Sequence, residues 1–223
     1  MDDARAYPAV LPVLHETEHW FVLDKPPHMH SVSQARGGAR SVEAWLRARR
    51  PELVELEECG LVHRLDFETS GCLLVAKHNA ARAAWMASFR SNDGRVRKEY
   101  LALVQGRRCN GSFELAFSSR HKGSQKVTVA EVRAETNPAH VGRCRWIAVQ
   151  HKLGEGSAHT LLQVELDGPG RRHQIRAGLA SLGMPLVGDA LYCGEPHTDG
   201  LHLHASALTI DGQRVHASTL QWG

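Results

Sequence analysis

The stretch of sequence that decides the fold reads HRLDFETSG at residues 63–71 and continues as CLLVAK at residues 72–77. The first half is polar and charged, whereas the second half is an apolar run of the length of a buried strand. Loops held by rigid elements often carry chemistry, and the positive charge of Arg64 favours the ionised form of Asp66. The residues alone also allow a plainer interpretation, in which Asp66 makes an Asx-type turn before the strand.

Working outward from this segment, strand patterns outnumber helix patterns and often follow one another directly. Ser41 and Asn79 are candidate caps of two helices, and residues 173–182 carry a third helical stripe. The strand patterns cover residues 19–24, 71–77, 98–105, 126–133, 144–150, 159–166 and 201–208. This order predicts an α+β fold with a mixed, mainly antiparallel sheet and flanking helices.

The composition is that of an ordinary globular protein. The chain has 223 residues, of which 42% are hydrophobic and 23% charged, which argues against a disordered or coiled-coil chain. Its apolar runs are too short for a membrane span. The net charge is only +3, although 21 of the 27 basic residues are Arg. The five Cys are widely spaced without a CxxC pair, which predicts reduced thiols and a cytoplasmic location.

Known cofactor motifs give no support for a metal or nucleotide enzyme. Residues 15–19 read HETEH and match the H-E-x-x-H zinc motif, which requires a helix. Here the motif lies between Pro12 and a strand pattern that begins near Trp20, so we expect no zinc there. The sequence contains neither a P-loop nor a G-x-S-x-G elbow. We therefore expect no metal and no cofactor.

A second informative segment reads GRRHQIR at residues 170–176. Three Arg at the start of a helix favour anion binding, although a solvated helix face is an equally simple interpretation. Arg176 adjoins Ile175 on the apolar stripe and is expected to point partly inward. A partly buried Arg needs an acidic partner, and Asp66 is the candidate.

A third segment, residues 95–104, combines positive charge with an aromatic ring. It contains Arg95, Arg97 and Lys98, followed by Tyr100. Basic residues interleaved with aromatic rings are typical of surfaces that bind single-stranded nucleic acid. Tyr100 could equally be an ordinary strand aromatic. Charge-removing substitutions at the three basic positions are predicted to weaken nucleic-acid binding and its salt dependence.

Taken together and in this order, these segments resemble the RluA family of pseudouridine synthases. Further matching segments are FVLDKP at 21–26, the basic strip at 120–126 and GMPLVGDALY at 183–192. The similarity extends over roughly residues 14–210. It implies the fold of that family, with a central cleft, and isomerisation of uridine in RNA to pseudouridine without a cofactor.

The resemblance also implies roles for four residues. Asp66 corresponds to the catalytic aspartate, and Arg176 to the arginine that pairs with it. Tyr100 corresponds to a cleft tyrosine that contacts the target base and assists proton removal, and Arg64 to an arginine that fills the gap left by a flipped base. The sequence departs from the family at Arg172, usually Thr, and at Gly178, commonly His. It also departs at Phe67-Glu68, more often a basic pair or Arg-Asp, and at Pro27-His28, usually Ala-Gly.

The resulting expectation is a lead-in at residues 1–13 and one catalytic domain at residues 14–223, without a separate S4-type RNA-binding module. The expected partner is ribosomal or transfer RNA, with a loop uridine as the target. No DNA and no membrane are expected as partners, and the protein is expected to be a monomer. Two alternatives stay open. One is a non-catalytic RNA-binding protein, and the other is a glycoside hydrolase that uses Asp66 and Glu68.

Overall fold

The computed structural model describes residues 10–33, 40–91, 93–119, 121, 123–153, 158–219 and 222. Within these residues the chain forms three α-helices: α1 (Val42–Arg49), α2 (Asn79–Arg90) and α3 (Gln174–Ser181). The same residues form ten strands: β1 (Val13–Glu16), β2 (Trp20–Lys25), β3 (Ser70–Ala76), β4 (Val96–Gln105), β5 (Gly111–Ser118), β6 (Thr128–Glu131), β7 (Val141–Leu153), β8 (Ala158–Asp167), β9 (Leu203–Ile210) and β10 (Gln213–His216).

All ten strands belong to one sheet. The order is β1-β2-β3-β9-β4-β8-β7-β5-β6, and β10 pairs with β9. Every strand pairing in the described part of the chain is antiparallel except the short parallel contact between β3 and β9. At that contact Gly71 has a φ of +107°, and a Cβ atom there would lie 2.2 Å from the carbonyl oxygen of Ala205. Glycine therefore lets β3 approach β9 directly after the 63–69 segment.

Both faces of the sheet centre are buried, which explains why β3 is apolar throughout. On one face Leu73 and Val75 join a core that includes residues of α1 and α3. On the other face Cys72, Leu74 and Ala76 pack into a second cluster that includes residues of α2. Alternate side chains of a strand point to opposite faces, so a strand covered on both sides carries no polar alternation.

Most predicted elements are present with shifted ends, and one cap differs. Ser41 caps α1 as predicted, because its hydroxyl accepts a hydrogen bond from the Ala44 amide. The cap of α2 is His78, whose Nδ1 accepts from the Ala81 amide, so the prediction of Asn79 as the cap was wrong. Strands β1, β5 and β10 were not predicted.

Some expectations concern residues that the structure does not describe. The predicted lead-in at 1–13 lies outside the described residues at positions 1–9, and the basic strip at 120–126 lies outside them at positions 120 and 122. Among the described helices, none combines the length and the apolar character that a membrane crossing needs.

Candidate active site

The loop that carries Asp66 is held to the segment that follows β2 by backbone and side-chain hydrogen bonds. The Ser31 hydroxyl donates to the Leu65 carbonyl and accepts from the Leu65 amide, both at 2.9 Å. The Phe67 carbonyl accepts from the Met29 amide at 3.1 Å. The turn closes through the main chain, since the Thr69 amide donates to the Asp66 carbonyl at 3.2 Å. The Asp66 carboxylate thus lies in a fixed loop.

A buried lysine stabilises the same loop from below. Lys25 is fully buried, and its Nζ donates to the carbonyls of Pro26, Met29 and Phe67 at 2.9, 2.8 and 3.4 Å. Burial lowers the pKa of Lys25 to about 7, against the opposing effect of the Asp66 charge. The FVLDKP stretch that formed part of the family resemblance therefore ends on an anchor of the Asp66 loop.

Asp66 opens onto a cleft with a volume of about 1280 Å³. The four residues predicted from sequence, Arg64, Asp66, Tyr100 and Arg176, all line this cleft. The structure therefore brings together side chains that are far apart in the sequence.

Arg176 contacts three carboxylates at the wall of this cleft. Its Nη1 lies 3.6 Å from Asp66 Oδ2, and its Nη2 donates to Glu68 Oε2 at 3.1 Å. Its shortest contacts are to Asp189, at 2.7 Å from Nε and 2.8 Å from Nη2. The expected pairing with Asp66 is present, but Asp189 is the closer partner.

Asp189 was not singled out as a site residue from the sequence. It is fully buried, and its carboxylate also accepts from the amides of Leu191 and Tyr192. Burial by itself lowers the pKa of Arg176, but the hydrogen bonds and charge of Asp189, aided by the charges of Asp66 and Glu68, raise it overall. Arg176 is therefore a permanent cation of fixed orientation. The sequence signal that could have pointed to Asp189 was the expected burial of Arg176. A buried arginine needs more partners than the partly exposed Asp66 carboxylate supplies.

His173 also lies near Asp66, and it too was missed. Its Nε2 lies 3.9 Å from Asp66 Oδ2, and its Nδ1 lies 2.9 Å from the Tyr192 hydroxyl. That hydroxyl also accepts from the Val127 amide at 2.9 Å. The tautomer with its proton on Nε2 is favoured, because a lone pair there would face the Asp66 carboxylate. Burial lowers the pKa of His173, and the charges of Arg176 and Arg172 oppose that of Asp66.

Tyr100 is buried in the cleft wall at an irregularity of the sheet. The register between β4 and β9 shifts between Glu99 and Leu101, and such bulges redirect a side chain near active sites. Burial, together with the charge of Asp66, raises the pKa of Tyr100. Its phenol is therefore protonated at neutral pH.

The basic segment of β4 is more neutralised than its sequence suggested. Arg95 makes a bidentate pair with Asp211 at 2.8 and 2.9 Å, and Arg97 lies 3.5 Å from Glu165. Lys98 is buried in the cleft wall and donates to the Gly168 carbonyl. Arg64 differs from Arg95 and Arg97, because its exposed side chain lines the cleft itself.

Two of the departures from the family, Arg172 and Gly178, have different structural settings. Arg172 is exposed, and its guanidinium donates to the carbonyls of Ser124 and Gln125, which also line the cleft. Gly178 is buried, and a Cβ atom there would lie 2.4 Å from the Phe113 ring. The glycine therefore matches a packing requirement of Phe113 away from the cleft.

The zinc-like motif does not form the helix that it would need, since His15 lies in β1 and residues 17–20 form a turn. Among the described residues, one other group brings potential metal ligands within 4.8 Å of each other, namely His197, Asp199 and His202. The sequence had not singled out this group, and it does not line the cleft.

The sequence model of one protein family, described as RNA pseudouridylate synthase, matches residues 19–181. This chain belongs to that family. The resemblance to the RluA pseudouridine synthases is thereby confirmed.

Relatives in this family are similar over almost the whole chain. The ribosomal large subunit pseudouridine synthases D of Xanthomonas campestris and Pseudomonas aeruginosa are 33% and 34% identical over 216 and 218 residues, 95% of this chain in each case. The chain spans 61% and 63% of the length of these two relatives. The uncharacterized RNA pseudouridine synthase YjbO of Bacillus subtilis is 31% identical, and the match covers 95% of this chain and 74% of YjbO.

Solved structures of the pseudouridylate synthase family share the fold. Human RNA Pseudouridylate Synthase Domain Containing 1 is 25% identical, with a TM-score of 0.70 over 95% of this chain and 84% of its own. Human RNA Pseudouridylate Synthase Domain Containing 4 has the same TM-score at 17% identity, over 94% of this chain and 88% of its own. The predicted α+β fold with a mainly antiparallel sheet is thus confirmed.

Proposed function

We propose that this protein isomerises a specific uridine in RNA to pseudouridine, with Asp66 as the catalytic carboxylate. The observation that carries the proposal is the position of Asp66, which faces the cleft of a pseudouridylate synthase fold with the Arg176 guanidinium 3.6 Å from its Oδ2. A fixed cation beside a carboxylate orients it before the reaction begins.

The reaction breaks the bond between C1′ and N1, turns the uracil, and forms a bond between C1′ and C5. In one route Asp66 attacks C1′ as the bond to N1 breaks, and C5 then displaces the carboxylate from C1′. In the other route Asp66 removes the C2′ proton as the bond to N1 breaks, which gives a glycal, and the proton returns to C2′ when C5 bonds to C1′. Both routes end with loss of the C5 proton and protonation of N1. The Tyr100 phenol is protonated at neutral pH and can contact the base, whereas Asp66 is a base that is available again once the new bond has formed.

The target uridine has to leave its stack to reach Asp66, at a cost of a few kcal/mol that is smallest in loops. We assign Arg64 to the gap left by the flipped base, because its exposed guanidinium lines the cleft and a planar cation can stack on neighbouring bases. No step of this chemistry is redox, so the isomerisation itself calls for no cofactor.

Ribosomal and transfer RNA are the proposed substrates, and large-subunit ribosomal RNA is the first to test, because several relatives carry that substrate class in their names. The test is pseudouridine mapping of total RNA from a deletion strain that expresses either the wild-type protein or Asp66→Asn. We expect one or a few sites to be lost on deletion, restored by the wild type, and absent with Asp66→Asn.

In vitro, single-turnover rates on the mapped RNA should fall by about four to six orders of magnitude in Asp66→Asn, the scale seen when one side chain of a catalytic unit is removed. Persistent modification by Asp66→Asn would exclude Asp66 as the catalyst. RNA binding without any modification by the wild type would favour the non-catalytic alternative, and release of free uracil would favour glycosidic cleavage.

A further inference from the structure

Phe67 exposes an aromatic ring in the cleft, one residue after Asp66. It is 41% exposed and lines the cleft. Single exposed apolar side chains are common on protein surfaces, so exposure alone assigns no role to Phe67. Its position beside Asp66 and its neighbours set it apart from exposed residues such as Ile147.

Two histidine rings pack against Phe67. The ring centroid of His30 lies 4.6 Å from that of Phe67 with a tilt of 38°, and that of His28 lies 5.7 Å away at 64°. These rings limit the movement of the phenyl group, while much of its surface stays open to solvent. We call Phe67 with His28 and His30 the aromatic platform.

The backbone beneath this ring is equally restrained. The Phe67 carbonyl accepts from the Met29 amide and from Lys25 Nζ, on the same buried anchor that positions the Asp66 loop. The aromatic platform is therefore in place before any ligand binds, and a pre-organised ring loses little conformational entropy on binding.

The charges around the aromatic platform suit a polyanion with flat bases. Burial lowers the pKa of His30, and the positive charges of Lys25 and Arg64 lower it further, so His30 is uncharged at neutral pH and its ring is an apolar neighbour of Phe67. Arg64, Arg90 and Arg172 line the same cleft. An aromatic ring beside basic side chains is the combination that binds single-stranded RNA by stacking and backbone contacts.

We propose that the aromatic platform stacks an unpaired nucleobase adjacent to the uridine that is held at Asp66. The ligand class is single-stranded RNA, and any of the four bases fits, because stacking uses the face of the base and not its edge. This inference rests on the proposed function for its register, but the binding that it predicts does not require isomerisation.

The first test is affinity for a fluorescein-labelled oligouridylate of roughly twelve nucleotides, within the usual site size of such surfaces. Phe67→Ala should raise the Kd about tenfold, the scale of one lost base–aromatic stack. Phe67→Trp should bind as tightly as the wild type or more tightly. Ile147→Ala is the matched control, since Ile147 is 49% exposed on β7 and lies outside the cleft lining.

The salt dependence separates stacking from charge effects. The slope of log Kd against log salt should be the same in Phe67→Ala and the wild type, because a stacked base releases no counterions. A shallower slope in Phe67→Ala would overturn the proposal, since the loss would then be one of phosphate contacts. Equal Kd values for Phe67→Ala and Ile147→Ala would overturn it as well.

A second test, photocrosslinking, uses only the wild-type protein and so does not depend on the folding of a variant. Oligouridylate carrying 5-iodouridine is irradiated in complex with the wild-type protein, and the crosslinked peptide is identified by mass spectrometry. We expect the crosslink at Phe67; crosslinks confined to other positions would overturn the proposal. A protein that binds and crosslinks in this way but makes no pseudouridine would contradict the proposed function and leave the aromatic platform supported.

Discussion

Two aspartates contact the same guanidinium, and they are held in opposite ways. Asp189 is fully buried, meets Arg176 through two hydrogen bonds, and accepts from two backbone amides. The Asp66 side chain is 26% exposed and lies 3.6 Å from a single nitrogen of Arg176. Every oxygen of Asp189 is occupied, whereas Asp66 faces an open cleft.

This difference shows how Arg176 can stabilise the fold through Asp189 and still orient the reactive carboxylate of Asp66. A buried ion pair is tolerated when its hydrogen bonds are satisfied, and the Asp189 contact meets that condition. The same contact fixes the plane of the guanidinium, so that Nη1 is directed at Asp66 without neutralising it in a tight pair. A carboxylate with free lone pairs is the one that can react.

The largest expected effect comes from removing the structural partner. Asp189→Asn leaves Arg176 as a poorly compensated buried charge, and we expect a loss of about 3–5 kcal/mol in the free energy of unfolding. Urea denaturation followed by circular dichroism measures it. Asp66→Asn is the matched control, and its unfolding free energy should stay within about 1 kcal/mol of the wild type. If Asp66→Asn lost as much stability as Asp189→Asn, both aspartates would be structural partners of Arg176.

The second-largest effect is a pH dependence of the free energy of unfolding, and it arises at His63, next to Arg64. Its Nε2 accepts from the Leu74 amide at 3.0 Å, and burial, together with the charge of Lys98, lowers its pKa to about 3. Between pH 6.5 and 3 the unfolded chain binds a proton there that the folded chain does not. Stability is therefore fully present above pH 6.5 and falls as the pH drops, by up to about 1.4 kcal/mol per pH unit.

This dependence determines how much of a loss of activity at low pH is due to unfolding. Urea denaturation at pH 7 and pH 5 should show a loss of roughly 2 kcal/mol from His63. His63→Gln, whose amide oxygen can still accept from Leu74, should show a flatter pH dependence. If the unfolding free energy of His63→Gln had the same slope against pH as that of the wild type, His63 would not be the source of the pH dependence.

A smaller effect is expected at His173, whose Nε2 lies 3.9 Å from Asp66 Oδ2. His173→Ala should lower the single-turnover rate about tenfold, with little change in RNA affinity, since the interaction of a polar N–H group with the Asp66 carboxylate is lost. His173→Gln can present an amide N–H near the same point and should restore part of the rate, whereas the shorter His173→Asn should not. Equal rates in all three variants would mean that His173 only packs.

The smallest effect should come from single arginines, Arg64 of the Asp66 loop and Arg97 of β4. Arg64→Gln should lower the salt slope of RNA binding by about one unit, as expected for one lost phosphate contact. Arg97→Gln should change that slope by less, because Glu165 already compensates Arg97. Salt titrations of the two variants side by side measure this. A full unit lost at Arg97 would return the β4 segment to the RNA-binding surface.

Much of the fold and part of the cleft could be read from local patterns. The apolar run of β3, the Ser41 cap and the stripe of α3 are short-range signals, because each depends on the spacing of neighbouring side chains. Strands β5 and β10 were missed, since they contain few buried residues and their exposed polar residues weaken the apolar pattern. Asp189 and His173 lay within segments that were singled out, but nothing local gave either residue a role.

The amino-acid sequence by itself determined the family, the mainly antiparallel α+β fold and the candidate residues Arg64, Asp66, Tyr100 and Arg176, because ordered motifs and residue types survive without coordinates. Only the tertiary structure decided which carboxylate binds Arg176 most tightly, which arginines are already paired, and that an exposed phenyl ring lies beside Asp66. Those facts depend on distances between residues far apart in the chain, and burial and electrostatic interaction are set by distance in space, not by separation in sequence.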